Sequence, residues 1–111
     1  MPTEQEILET KERVMAQLEN VIDPELGIDI VNLGLVYEIE LDEELNTVVV
    51  MTLTSMGCPL AGTIVSEIKQ TLGELQELGE IGTVDTNIVW SPVWSKDKMS
   101  RYAKIALGVA D

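Results

Sequence analysis

The stretch Val48-Val49-Val50-Met51-Thr52-Leu53-Thr54-Ser55-Met56-Gly57-Cys58-Pro59-Leu60-Ala61-Gly62 joins two periodicities. Its first four residues form an apolar run suited to a buried strand. Ala61, Ile64, Val65, Ile68, Leu72 and Leu75 then recur at helical spacing. Between strand and helix sits the single cysteine of the chain. Pro59 suits the first helical position, where a missing N–H leaves nothing unpaired, and this makes Cys58 the candidate N-cap. The unpaired N–H groups of a first turn and the positive end of the helix dipole favour a negative sulfur. Thr54 and Ser55 put two hydroxyls on the same loop, while Gly57 and Gly62 leave room for close approach. Cys58 is therefore a candidate thiolate; the competing reading is a small buried hydrophobe.

Outward from this stretch, residues 36–41 alternate, with Tyr37, Ile39 and Leu41 on one face and Glu38 and Glu40 on the other. Asp42-Glu43-Glu44-Leu45-Asn46 is a polar turn of hairpin length, and 47–54 returns as an antiparallel second strand. The helix predicted over 59–78 ends near Gly79. A third strand over 83–90 then alternates Val84, Thr86, Ile88 and Trp90 against Thr83, Asp85, Asn87 and Val89. A strand–helix–strand crossover makes the third strand parallel to the second, with a right-handed connection. Strand order 2-1-3 or 1-2-3 satisfies these pairings equally.

Upstream, Thr3 and Glu6 match a capping box, and Ile7, Val14, Leu18 and Val21 mark one face of a helix over 4–20. The following segment, from Val21 through Asp23-Pro24-Glu25-Leu26-Gly27 to Tyr37, is an apolar-rich loop expected to pack across the end of the sheet. Downstream, Trp94 is a large packing anchor, and Ser95 or Ser100 can cap a short helix closed by Gly108. The expectation is a single domain, 1–111, of the α/β class (α+β type) in two layers. It is built as helix–hairpin–helix–strand, with a three-stranded mixed sheet and a short C-terminal helix. Both long helices pack on one face, and the final segment partly covers the other.

Composition narrows the function. With 20 acidic and 7 basic residues the net charge is −13, which repels phosphate backbones, and no basic patch interleaved with aromatics is present. Nucleic acid is not an expected partner. No segment approaches the ~18 uninterrupted apolar residues of a membrane span, so no membrane is expected either. The acidic start lacks a secretory pattern and one cysteine cannot form an internal disulfide, so the expected location is cytoplasmic. The absence of histidine excludes a cysteine–histidine hydrolase and a zinc site closed within one chain. Asp23 and Glu25 read either as local caps or as carboxylates turned towards the Cys58 loop.

Three signatures stand together: Asp23-Pro24-Glu25-Leu26 with Asn32-Leu33-Gly34-Leu35-Val36-Tyr37; Thr52 through Ala61; and Pro92-Val93-Trp94 with Met99-Ser100. In this order they resemble the SufT-like and PaaD-like iron–sulfur cluster assembly domain family, over nearly the whole chain. The resemblance implies a small two-layer fold and a non-enzymatic role in building or delivering iron–sulfur clusters, with scaffold and client proteins as partners. It places Cys58 at the family's cysteine, Thr54 and Ser55 at its hydroxyl positions, and Asp23 and Glu25 at its acidic motif. Pro92, Trp94, Met99 and Ser100 fall on its carboxy-terminal signature. The cysteine-rich tail of PaaD proteins is absent, which brings the chain closer to the SufT-like branch.

The leading expectation is thus a maturation factor whose Cys58 binds iron or a cluster transiently, alone or across a homodimer, with no tightly bound cofactor. Asp23, Glu25, Thr54 and Ser55 support the site, and Gly57, Pro59 and Trp94 shape it. The alternative is an adaptor that never touches metal, with Cys58 structural. If the helix-start reading is right, alkylation of Cys58 against pH shows a reactive form below the ~8.5 of a free thiol. Reaction only above that pH, or only after unfolding, favours the structural cysteine.

Overall fold

The computed structural model describes residues 2–24, 26–53, 61–91 and 94–108. Helix α1 (Glu4–Leu18) begins on Thr3, whose hydroxyl accepts the Glu6 N–H at 3.1 Å. The Thr3 hydroxyl donates to the Glu6 carboxylate at 3.4 Å, so the predicted box closes through the hydroxyl. The helix stops two residues before the expected end because Asn20 and Val21 donate to Gln17 and Leu18, tightening the last turn.

Strands β1 (Val36–Leu41) and β2 (Thr47–Met51) pair antiparallel, and β3 (Val84–Ile88) pairs parallel to β2. The order β1-β2-β3 resolves the open choice in favour of 1-2-3. Helix α2 (Ala61–Glu77) makes the crossover, and its first two expected residues lie outside the described ones. Ile39 and Leu41 on β1 stand opposite Val49 and Thr47, which stand opposite Thr86 and Val84. This row faces α1 and α2. Glu38, Glu40, Val48, Val50, Asp85 and Asn87 form the opposite face.

Each long helix contributes a fully or nearly fully buried stripe: Val14 and Leu18 from α1; Ile64, Ile68, Leu72 and Leu75 from α2. At roughly 1.5–3 kcal/mol per buried Leu or Ile, the four residues of the α2 stripe contribute about as much to the core as Ile28, Ile30, Leu33 and Leu35. Arg13 reaches across from α1 to Glu80 at 3.0 Å, an exposed pair of little energetic weight.

Several expectations are corrected. The second and third strands are shorter than 47–54 and 83–90. Beyond Met51 the Thr52 N–H turns to Leu35 O, and before Val84 the Thr83 N–H goes to the Asn46 side chain. Trp90, expected to continue the face of Val84, Thr86 and Ile88, lies past the strand end and is 57% exposed. Tyr37 was expected on the face of Ile39 and Leu41. It is instead the extra residue of a β-bulge between Val36 and Glu38, where Val36 pairs with Met51 and Glu38 already pairs with Val50. The final segment docks on residues 29–35.

The hairpin turn is tied together by Asp42, whose carboxylate accepts from the Glu44 and Asn46 backbone N–H groups and from the Asn46 side chain. These bonds, the Asn46 side chain first, hold the Asp42 carboxyl below its ordinary range. Asn46 Oδ1 meanwhile accepts the Thr83 N–H at 2.9 Å, clipping the hairpin to the start of β3.

After β3, a short 3₁₀ turn over Lys96–Lys98 leads into α3 (Arg101–Leu107). Of the two candidate caps, Ser100 caps α3 by accepting the Ala103 N–H at 3.2 Å, whereas Ser95 precedes the 3₁₀ turn without a side-chain bond. Gly108 closes the helix in the left-handed conformation, φ 70°. Gly34 is left-handed as well, φ 76°, and a Cβ there would run into the Lys98 backbone. Gly34→Ala should therefore destabilise the fold by roughly 2–4 kcal/mol through backbone strain and overpacking, and should undock the last segment. Denaturant unfolding read by tryptophan emission, in a Trp90→Phe background so that Trp94 reports alone, tests this.

Candidate functional site

The elements flanking the cysteine stretch are organised by residues 28–35, a buried loop whose backbone groups are paired outward. Ile30, Leu33 and Leu35 are fully buried. Ile30 N–H donates to Val21 O at 3.0 Å, and Ile22 and Asp29 form an isolated antiparallel bridge, so the loop is sewn to the Asp23 turn. On its other side Leu35 O accepts the Thr52 N–H at 2.8 Å, at the carboxyl end of β2. Leu53, 4% exposed, continues into the core. Residues 54–60 connect this point to α2. Thr54, Ser55, Gly57, Cys58 and Pro59 therefore all lie outside the described residues, and so do Glu25 and Pro92.

Asp23 is 2% exposed. Its Oδ1 accepts the Leu26 N–H at 3.1 Å, its N–H donates to Ile28 O at 2.9 Å, and its carbonyl accepts from Gly27 at 2.8 Å. Gly27, φ 71°, supplies the left-handed residue that closes this turn. The Asp-Pro pair thus acts as a local cap. Its proximity to Cys58 and the partnership with Glu25 involve residues outside the described set.

Trp94 is half-buried against the core and donates Nε1–H to Leu33 O at 2.7 Å. Two carbonyls of one buried loop, those of Leu33 and Leu35, thus hold Trp94 and the end of β2. Asp23 is joined to the same loop through the Ile22–Asp29 bridge.

Sequence reasoning passed over Asp29. Its carboxylate takes both the backbone and the side-chain N–H of Asn32, at 2.9 and 2.7 Å. Asn32 in turn accepts the Ser100 hydroxyl at 2.6 Å and the Ser100 N–H at 2.7 Å. The acid three residues before an asparagine was the available sign of this turn. Among the described residues no group of three or more His, Cys, Asp or Glu is placed to hold a metal ion, and no helix is long and apolar enough to cross a membrane.

A family model described as an iron–sulfur cluster assembly protein matches residues 11–85. The chain belongs to this family. It is 59% identical over 99 residues to the Fe-S protein maturation auxiliary factor YitW of Bacillus subtilis, covering 89% of this chain and 94% of that one. It is 60% identical over 90 residues to the Fe-S protein maturation auxiliary factor SufT of Staphylococcus aureus, covering 81% and 99%. In structure it resembles a crystallised domain of unknown function from Bacillus anthracis: TM-score 0.83, 52% identity, 93% and 95% coverage. The family membership read from the three signatures and the α+β architecture read from the hydrophobic periodicity are both borne out.

Asp23→Ala should cost about 1 kcal/mol for the lost cap and more for the orphaned donor, whereas Asp23→Asn keeps the acceptor and should cost less. Thermal unfolding of the two variants makes that comparison.

Proposed function

We propose that this chain is an iron–sulfur protein maturation factor working in the cytoplasm as one domain, with Cys58 receiving iron or a cluster as cargo and passing it to client proteins. The observation that carries the proposal is the 59–60% identity to two maturation auxiliary factors across 94–99% of their lengths. The cysteine stretch follows the buried, hydrogen-bonded end of β2, which gives residues 54–60 a fixed starting point.

Stoichiometry shapes the mechanism. A [2Fe–2S] cluster takes four protein ligands, and a chain with one cysteine and no histidine supplies one thiolate. Two copies supply two. Thiols or carboxylates of a scaffold or client complete the shell, and binding iron releases the thiol proton. Incomplete ligation is what transfer requires: cargo held by few bonds leaves when the client offers more. Thr54 and Ser55 hydroxyls serve as donors to the sulfur, and Asp23 and Glu25 as the acidic side of the site.

Anaerobic reconstitution with ferrous iron and sulfide, followed by gel filtration, tests this reading. Wild type should retain iron with sulfur-to-iron charge-transfer absorption and pass it to an apo-ferredoxin. Cys58→Ser should lose at least tenfold of both. Equal iron in wild type and Cys58→Ser, or none in either, overturns the carrier reading in favour of an adaptor with a structural cysteine. Asp23→Asn separates cap from charge: unchanged transfer assigns Asp23 to the turn alone.

A further inference from the structure

Two hollows adjoin along the outer edge of β1. One, of about 240 Å³, is lined by Lys11, Met15, Tyr37, Glu38 and Ile39 among others; the second, of about 560 Å³, by Val31, Gly34, Val36, Tyr37 and Lys98. Val36 and Tyr37 belong to both, so the hollows form one groove that passes the bulge. Among the described residues β1 is one of the two edge strands of the sheet, and an edge strand presents one row of backbone donors and acceptors to a further strand.

Among the charged residues that line the groove, two lysines outnumber one carboxylate, Glu38, against the balance of the whole molecule. In a chain of net charge −13 the two ends of the groove carry Lys11 and Lys98. Among the described residues neither lysine lies within ion-pair distance of a carboxylate; Lys98 Nζ instead stands 5.0 Å from the centroid of the Tyr37 ring. Met15, Val31, Val36 and Ile39 make the floor apolar. Glu38 and Glu40 stand on the opposite face of the same strand, and Glu38 also reaches the rim of the first hollow.

We infer that this groove binds an extended segment of a partner protein as a fourth strand beside β1. On the side turned to α1 the segment carries apolar side chains flanked by Asp or Glu, for Lys11 and Lys98. On the other side, beside Glu38 and Glu40, it carries neutral or basic residues. Main-chain bonds to the strand supply affinity, and the two lysines select the segment. A second copy of this chain is the wrong occupant: antiparallel β1–β1 pairing would set Glu38 and Glu40 of one copy against those of the other. The described residues of the groove lie on α1, β1, residues 31–34 and Lys98, and docking is proposed as a step separate from cargo binding.

The test is titration of the full ¹⁵N-labelled chain with acetyl-Glu-Thr-Val-Lys-Val-Thr-Glu-amide. Expected are shifts at residues 36–41, Lys11, Met15, Val31, Gly34 and Lys98, with slowed amide exchange along 36–41 and submillimolar affinity. The same peptide with lysine in place of both glutamates should bind at least tenfold more weakly, as should Lys11→Glu combined with Lys98→Glu. Cys58→Ser should bind normally. If charge reversal perturbs folding, Lys11→Gln with Lys98→Gln should still weaken binding several-fold. No shift at 36–41 with millimolar peptide, equal binding of both peptides, or shifts that appear on concentrating the protein alone overturn the proposal, the last by showing a second copy on the edge.

Discussion

Burying a loop obliges every N–H and C=O in it to find a partner, and this obligation, placed on residues 28–35, organises the molecule. Had the segment been solvated, water would satisfy it and its neighbours would have no fixed place. Instead Ile30 binds Val21, Leu35 binds Thr52, Leu33 binds Trp94, and Asn32 binds Ser100. Asp29 holds the loop's own curvature by gripping Asn32 at two points. The N-terminal turn, the central strand and the C-terminal segment are consequently positioned by one internal reference.

The sheet was legible because period-two alternation and the length of a crossover are local facts. Hairpin, parallel return and both helical stripes follow from them. What escaped depends on the partner strand. Inserting Tyr37 as a bulge leaves the alternation of 36–41 formally intact in the sequence, yet moves that ring out of the row containing Ile39. Trp90 keeps the period of β3, but β2 has ended at Met51, so nothing extends the ladder to it.

The candidate site divides along the same line. Asp-Pro announces a turn, and Asp23 makes one. Trp94 was legible as an anchor, but its carbonyl partner is 61 positions away and carries no sequence mark. Asp29 received no reading of its own within the apolar-rich stretch, because its Asn32 partnership is a local turn set by the buried loop. Cys58, Thr54, Ser55 and Glu25 rest on sequence chemistry and on family membership, and their surroundings enter only through the ends of β2 and α2.

The pairings of this chain close loops of very different length. The β1–β2 hairpin closes across five residues of polar turn, the Asn46–Thr83 bond across 37 positions, and the Asn32–Ser100 bond across 68. Loop closure costs more entropy as the loop lengthens, and distant contacts form late in a folding reaction. The hairpin is therefore the least costly of these closures and the docking of the carboxy-terminal segment the most costly. Lys98 meets Tyr37 only through that longest closure, so one end of the β1 edge is completed by residues distant in sequence.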